Sequence, residues 1–170
     1  MNPTVNVDAV PDELRDLDKW LVWDMSKERK RPFTWDSSPE KLFGAKKHTE
    51  AHHLTFDEAV AAAEASETVG VGLVFDEDDP YVGIDLDGCN IQHEDGRVSP
   101  REWLPTLRDF DDKAYAEQSP SGDGLHLWVR DSEIPDWWSN IEKEGDEHIG
   151  VDVYEKWFFT VTGDVLEKRS

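Results

Sequence analysis

The chain has 170 residues, of which 37% are apolar, and its 39 acidic side chains against 18 lysines and arginines give a net charge of −21. Eight tryptophans and seven phenylalanines supply bulk for a core, which argues against an intrinsically disordered protein. The single cysteine excludes a disulfide framework and a cysteine-rich zinc site, and no apolar run reaches the roughly 20 residues of a membrane span. We expect one domain over residues 1–170 with its core at about 20–163. Because the N-terminus lacks a signal-peptide pattern, we also expect a cytoplasmic protein without a membrane partner.

The acidic side chains are spread along the whole chain and not gathered in one tail. Such an excess ordinarily argues against nucleic acid as a partner. The same pattern is typical of proteins from salt-loving cells, and at molar salt the Debye length falls to about 3 Å, so the surface would repel DNA only weakly. An ordinary acidic protein is the alternative. Basic residues concentrate at 26–31 (SKERKR) and 46–48 (KKH), and this local reversal of sign suggests a phosphate contact.

The first third of the chain predicts few regular elements. An amphipathic stretch from Pro11 to about Lys19 predicts a first helix, and 20–23 (WLVW) predicts a strand. Residues 25–50 have no clear period, so we expect a long loop there with a short strand near Phe33.

The rest of the chain alternates helices with short strands. Thr55 and Glu58 form a capping box ahead of an alanine-rich helix, and 69–75 (VGVGLVF) predicts a buried strand. Ser99 and Pro100 have the residue types of the N-cap and first position of a third helix. Further strands are predicted at 81–89, 114–118, 125–129, 150–154 and 158–163. This order favours an α+β fold with a largely antiparallel sheet.

Three of these strands repeat one pattern, with apolar residues on one face and glycine with an acid or histidine on the other. If the strands are neighbours, then Asp85, Asp87, Asp152 and His126 project from the same side. Asp85 and Asp87 would have Cα atoms about 6.7 Å apart, and carboxylates so placed can converge on Mg²⁺ or Mn²⁺. Small residues on that face would leave room for a bulky ligand: Gly83, Gly124 and Gly150. An ordinary polar sheet face is the alternative interpretation.

The segments "GIDLDGC", "SPSGDGLHLWV" and "VDVYEKWFFTVTG" occur in this order along the chain. They resemble the three motifs of primase–polymerase domains of the archaeo-eukaryotic primase superfamily, of the phage and plasmid type known as bifunctional DNA primase/polymerase N-terminal domains. The upstream segments "KWLVW", "KRPF", "TFDEAVAA" and "VGVGLVF" agree with this resemblance, which runs from about Trp20 to Gly163.

The resemblance implies an RRM-like, mostly antiparallel catalytic sheet with helices on one face, packed with a smaller α/β unit. It implies a nucleotidyltransferase that makes or extends primers from NTPs or dNTPs on single-stranded or primed DNA, with a two-metal Mg²⁺ or Mn²⁺ site. It leaves open whether a helicase partner is separate or fused. By motif, the catalytic and metal-binding residues are Asp85, Asp87 and Asp152. The nucleotide-binding residues are His126, Ser119, Ser121, Gly122, Lys30 and Lys156.

Two departures from the family pattern keep other functions open. Asp152 stands where such enzymes commonly have glutamate. Lys156 and Trp157 stand where they carry an arginine, and a lysine ammonium cannot bind a phosphate through two parallel hydrogen bonds as a guanidinium does. A catalytically weakened relative that binds nucleic acid or nucleotide is therefore the second hypothesis, and a metal-dependent nuclease is the third. The chain ends seven residues after Gly163, as expected of either a stand-alone module or a fragment.

Overall fold

The computed structural model describes residues 3–96, 98–100, 114–130, 150–154 and 156–165. Within these residues the fold is α+β, with two antiparallel sheets, one hairpin and few helices. The helices are α1 (Asp12–Arg15) and α2 (Phe56–Glu64), with single 3-10 turns at Val7–Ala9 and Glu50–His52. The strands of the two main sheets are β1 (Trp20–Asp24), β2 (Phe33–Thr34), β3 (Phe43–Gly44), β4 (Val69–Phe75), β5 (Tyr81–Asp87), β8 (Ala114–Gln118), β9 (Leu125–Arg130), β10 (Gly150–Tyr154) and β11 (Trp157–Val161). The hairpin consists of β6 (Asn90–Gln92) and β7 (Val98–Pro100). No helix in the described part of the chain is long and apolar enough to cross a membrane.

The larger sheet has five strands in the order β11-β4-β1-β2-β3. All seven residues of β4 are buried, as predicted from the uninterrupted apolar run at 69–75. Helix α2 covers this sheet, and Trp20 of β1 meets Phe56 of the helix edge to face, with ring centroids 4.7 Å apart. The predicted capping box is confirmed, because Thr55 Oγ1 accepts the Glu58 N–H and the Glu58 carboxylate accepts the Thr55 N–H.

The smaller sheet has four strands in the order β10-β5-β9-β8, and every neighbouring pair is antiparallel. Three of them, β5, β9 and β10, are the strands that the sequence predicted to carry the acids and the histidine. The apolar side chains of β5 are buried: Val82, Ile84 and Leu86. The helices expected on that face lie outside the described residues.

Strand β11 joins the two sheets. It pairs with β4 in the larger sheet, while Phe159 packs edge to face against Trp128 of β9, with ring centroids 5.6 Å apart. Phe159 also meets Phe75 of β4 at 5.2 Å, so one aromatic side chain contacts both sheets. The polar face of the smaller sheet therefore lies next to β11.

Two predictions about the first third of the chain were wrong in part. The first helix ends at Arg15 and not near Lys19. The chain continues in tight turns, and the indole N–H of Trp20 donates a hydrogen bond to the Leu14 carbonyl. The loop at 25–50 contains the strand predicted near Phe33 and also β3, which pairs with it.

Ser99 and Pro100 begin no helix. Both lie in β7, which pairs with β6 through a turn in which the Gly96 N–H donates to the His93 carbonyl. Gly96 has a φ of +80°, a conformation that glycine adopts at no steric cost. This turn lies between the two strands of the hairpin. Proline is tolerated at the edge of such a pair, so residues typical of a helix start lie in a strand here.

Candidate active site

Four ionisable side chains form one row across the smaller sheet. Asp85 of β5 is paired with Asp152 of β10 on one side and with His126 of β9 on the other, and His126 is in turn paired with Glu117 of β8. Directly paired residues project from the same face of an antiparallel sheet. The structure therefore brings together three of the predicted site residues and adds a fourth, Glu117, that was not predicted.

The imidazole of His126 is held from two sides. Its ring stacks on Phe159, with centroids 4.8 Å apart and an angle of 20° between the planes. Its Nδ1 lies 2.9 Å from the Thr160 carbonyl oxygen, and since a carbonyl can only accept, Nδ1 carries the proton. The other nitrogen, Nε2, lies 3.7 Å from Oδ1 of Asp85 and faces the carboxylate row.

The charges of this row are set by burial and by Lys30. Burial lowers the pKa of His126 to about 4, with the Thr160 hydrogen bond opposing the shift and the charge of Lys30 adding to it. The imidazole is therefore neutral at pH 7, and its approach to Asp85 is not an ion pair. Burial of its ammonium lowers the pKa of Lys30, and the charges of Asp85 and Asp87 oppose that shift, so the predicted Lys30 lies in the field of both carboxylates.

The three predicted metal ligands share one face. Asp87 ends β5 two residues after Asp85 and is paired with Gly150, so it points to the same side as Asp85 and Asp152. All three side chains are partly exposed, and carboxylate oxygens are the ligands that Mg²⁺ and Mn²⁺ prefer, so the donor chemistry fits such ions. Among the residues that the structure describes, no group of three or more histidine, cysteine or carboxylate side chains is arranged to hold a metal ion.

The turn before His126 closes on itself. The Ser119 N–H donates to the Gly124 carbonyl and the Gly122 N–H donates to the Ser119 carbonyl, both at 2.9 Å, so these amides have acceptors inside the turn. The Ser119 and Ser121 hydroxyls lie 3.0 Å apart, and since that contact uses one of their two protons, one O–H remains for a ligand. Both serines and Gly122 line an open cavity of about 320 Å³.

The expectation that small residues leave open space on this face was wrong for two of the glycines. A Cβ on Gly83 would overlap the rings of Phe75 and Phe159, and one on Gly124 would lie 2.5 Å from the Leu86 carbonyl oxygen. The space is filled by the rings of Phe75 and Phe159 and by the backbone of Leu86. These glycines allow close packing and do not make room for a ligand.

Lys156 lies among other cations. Burial and the positive charge of Lys156 lower the pKa of Lys47, and the same two causes are the largest of those that lower the pKa of His48. The Lys47 ammonium lies 3.7 Å from the ring centroid of Trp157, whose exposed fraction is 43%. Lys47 and Lys156, far apart in sequence, thus lie close enough for their charges to interact, with Lys47 over the ring of Trp157.

Glu117 is the site residue that the sequence analysis missed. It has no solvent exposure, and burial raises its pKa to about 7 against the opposing effect of its hydrogen bonds. Its Oε1 accepts the Thr162 N–H at 2.9 Å, and its Oε2 accepts the Gly163 N–H at 2.8 Å and the Tyr115 O–H at 2.7 Å. Alternation in 114–118 does place Tyr115 and Glu117 on one face, but the sequence does not show which strand β8 joins.

Comparison with known proteins gives one informative match. No family model matches the chain. The chain is 33% identical over 155 residues to the DNA primase-polymerase of Nitratiruptor phage NrS-1, and the match covers 89% of this chain. It covers 20% of the phage protein, so the chain spans about one fifth of that relative's length. This similarity supports a relationship between the chain and one part of a phage primase-polymerase.

Proposed function

We propose that the chain is a metal-dependent nucleotidyltransferase that synthesises or extends primers from NTPs or dNTPs on single-stranded or primed DNA. The observation that supports this best is the row Asp152, Asp85 and His126, three residues from three separate motifs that strand register brings side by side. The similarity to a protein named DNA primase-polymerase supports the same conclusion. We further propose that it serves replication of a plasmid, virus or mobile element, with an archaeo-eukaryotic primase fold and a helicase as partner.

The carboxylates supply the centre of the proposed reaction. Asp85, Asp87 and Asp152 share one face but are not arranged around an ion, so they would have to converge to hold Mg²⁺ or Mn²⁺, which when bound supplies neutralisation of the triphosphate and activation of the primer hydroxyl. Lys30 lies in the field of Asp85 and Asp87, so its ammonium can pair with a phosphate that enters beside them. Phosphoryl transfer depends mainly on such positioning and charge neutralisation.

His126 and the turn before it would hold the phosphates. Because Nδ1 donates to Thr160, Nε2 is the nitrogen that faces the ligand side. A phosphate there would favour proton uptake on Nε2, which would change it from an acceptor into a charged donor. The Ser119 and Ser121 hydroxyls, in the turn that precedes His126, supply a further O–H donor.

The decisive experiment is a primer-extension and de novo priming assay in high salt, titrated with Mg²⁺ and Mn²⁺. The wild-type protein should lengthen primers and release pyrophosphate, and the double variant Asp85→Ala, Asp87→Ala should not. Asp36→Ala, which removes an exposed loop carboxylate, is the matched control and should keep full activity. Full activity in the double variant would overturn the assigned site.

The same assay separates the two other functions. DNA binding without incorporation under every metal and salt condition would identify a non-catalytic binding module. Shortened strands or released phosphate would identify a nuclease. Either outcome with clean wild-type protein would overturn the proposed polymerase activity.

We also propose that the net charge of −21 reflects adaptation to high salt. Screening at molar salt relieves repulsion among surface carboxylates, so the free energy of unfolding should rise by several kcal/mol between about 0.1 M and 2 M KCl. Urea unfolding at a series of KCl concentrations measures this. Equal stability at both ends of the series would contradict the proposal.

A further inference from the structure

Glu117 is a buried carboxylate without a cationic partner in the described part of the chain. Its hydrogen bonds come from two successive backbone amides, those of Thr162 and Gly163, and from the Tyr115 hydroxyl. A buried acid is unfavourable unless donors satisfy its oxygens, and here both oxygens are satisfied. A buried acid with this set of hydrogen bonds is expected to have a role other than packing.

The two amides belong to the segment that follows β11. Gly163 has a φ of +66°, a left-handed conformation that turns two consecutive N–H groups toward one acceptor. The Thr162 hydroxyl also donates to the Gln118 carbonyl at 2.7 Å, and the Gln118 N–H donates to the Asp164 carbonyl at 2.9 Å. Residues 162–164 are therefore fastened to the end of β8, with the Glu117 carboxylate at the centre.

The segment that Glu117 anchors is close in sequence to the residues that contact His126. Thr160 of β11, whose carbonyl accepts the His126 Nδ1–H, lies two residues before Thr162. Phe159, which stacks on the imidazole, is its neighbour. The carboxylate that holds the end of β11 thus also fixes the carbonyl and the ring that orient His126.

We propose that Glu117 is a positioning residue that sets the tautomer and orientation of His126 by anchoring the end of β11 to β8. Glu117 touches no reacting atom in this arrangement. Its effect reaches the nucleotide through His126, so the ligand part of the inference rests on the proposed function, whereas the geometric part does not.

The test is the variant Glu117→Gln, which keeps size and shape. A carboxylate accepts at both oxygens, but a glutamine must point an NH₂ at one of the donors, so the segment at 162–163 loses one hydrogen bond. Glu13→Gln is the matched control, since it makes the same chemical change on a side chain that is 65% exposed.

Two readouts distinguish positioning from general destabilisation. Nitrogen NMR of the histidine ring should show His126 as one neutral tautomer with the proton on Nδ1 in the wild type and as a mixture of tautomers in Glu117→Gln. The dissociation constant for dATP with Mg²⁺ should rise about tenfold in Glu117→Gln and stay within twofold in Glu13→Gln. A folded Glu117→Gln protein with the wild-type tautomer, and with dATP affinity equal to the control, would overturn the proposal.

A second variant covers the case in which Glu117→Gln does not fold. Tyr115→Phe keeps the ring that packs on Trp128 and removes only the O–H that donates to Glu117. We expect a smaller change in the same direction, two- to threefold in dATP affinity with a detectable second tautomer. A folded Tyr115→Phe protein that matches the wild type in both readouts would also refute the positioning role. The tautomer readout needs no turnover, so a failure of the polymerase hypothesis would leave it intact and would be recognised separately by the incorporation assay.

Discussion

The two sheets of this protein use adjacent strands in opposite ways. In the larger sheet every residue of β4 is buried, and its side chains are apolar or absent. In the smaller sheet β5 buries one face, Val82, Ile84 and Leu86, while Asp85 and Asp87 on the other face stay partly exposed. The two strands are joined by a turn of only five residues, 76–80. Nevertheless, β4 is entirely buried, whereas one face of β5 carries the candidate site aspartates.

This difference implies a division of labour. The larger sheet with α2 stabilises the domain, and the smaller sheet holds ionisable groups at fixed spacing beside β11. Substitutions in the two sheets should therefore separate activity from stability, with Phe159, Glu117 and His126 as the places where the two overlap.

The largest expected effect is on activity, from Asp85→Asn in the smaller sheet. Incorporation should fall by about three orders of magnitude, since loss of a charge that helps hold the reacting phosphates is worth several kcal/mol. The free energy of unfolding should change by less than about 1 kcal/mol, because the Asp85 side chain is partly exposed. Primer extension together with urea unfolding measures both. A strongly destabilised Asp85→Asn protein would show that the two sheets are not separable in this way.

The next effect is on stability, from Leu73→Ala in the larger sheet. Leu73 is fully buried at the centre of β4, so the free energy of unfolding should fall by about 3 kcal/mol through lost burial and the cavity left behind. Incorporation per folded molecule should be unchanged. If activity fell tenfold while the protein stayed folded, the larger sheet would be acting on the site directly.

Glu117 should make stability depend on pH. Its folded-state pKa of about 7 lies above the ordinary value of 4.5, so the folded state holds the proton more tightly. The resulting stabilisation is fully present below about pH 4.5 and is lost as the pH rises through 7, by an amount on the order of 2–3 kcal/mol. The difference in unfolding free energy between wild type and Glu117→Gln, followed from pH 4.5 to 8, isolates this contribution from that of the other acids. A difference independent of pH would contradict the raised pKa.

The smallest effect should come from Thr55→Ala at the start of α2. Loss of the Thr55 side-chain bond to the Glu58 N–H should lower the free energy of unfolding by about 1 kcal/mol. Helix α2 packs on the larger sheet only through its apolar face, so dATP affinity should not change. Thermal unfolding and a nucleotide titration test the two statements together.

Local patterns sufficed to predict much of the fold. The apolar run of β4, the capping box at Thr55 and the alternation in β5 each express a preference that depends on neighbouring residues alone, and each was confirmed. The predictions for the end of α1 and for the pair Ser99 and Pro100 were wrong, because a contact from Trp20 and a glycine turn at 96 decided those segments.

The sequence predicted the candidate site where the prediction requires only the sheet face that a side chain occupies. It did not predict the features that depend on which strand lies next to it. Alternation placed Asp85, His126 and Asp152 on polar faces, and pairing in register made them a row. Glu117 was missed since its role depends on two amides 45 and 46 residues away. Gly83 was misinterpreted for a similar reason, because the rings that fill the space beside it come from other strands.

The pairing of β10 with β5 has a consequence for how the site could be lost. Among the described strands, β10 lies at the edge of its sheet and pairs with β5 alone. A slip of one residue would turn Asp152 to the opposite face, and a slip of two would place Gly150 or Tyr154 across from Asp85. In either case the ladder could be rebuilt with nearly as many backbone bonds, yet the acid pair would be gone. The juxtaposition of Asp85 and Asp152 therefore depends on an alignment that backbone hydrogen bonding alone does not specify.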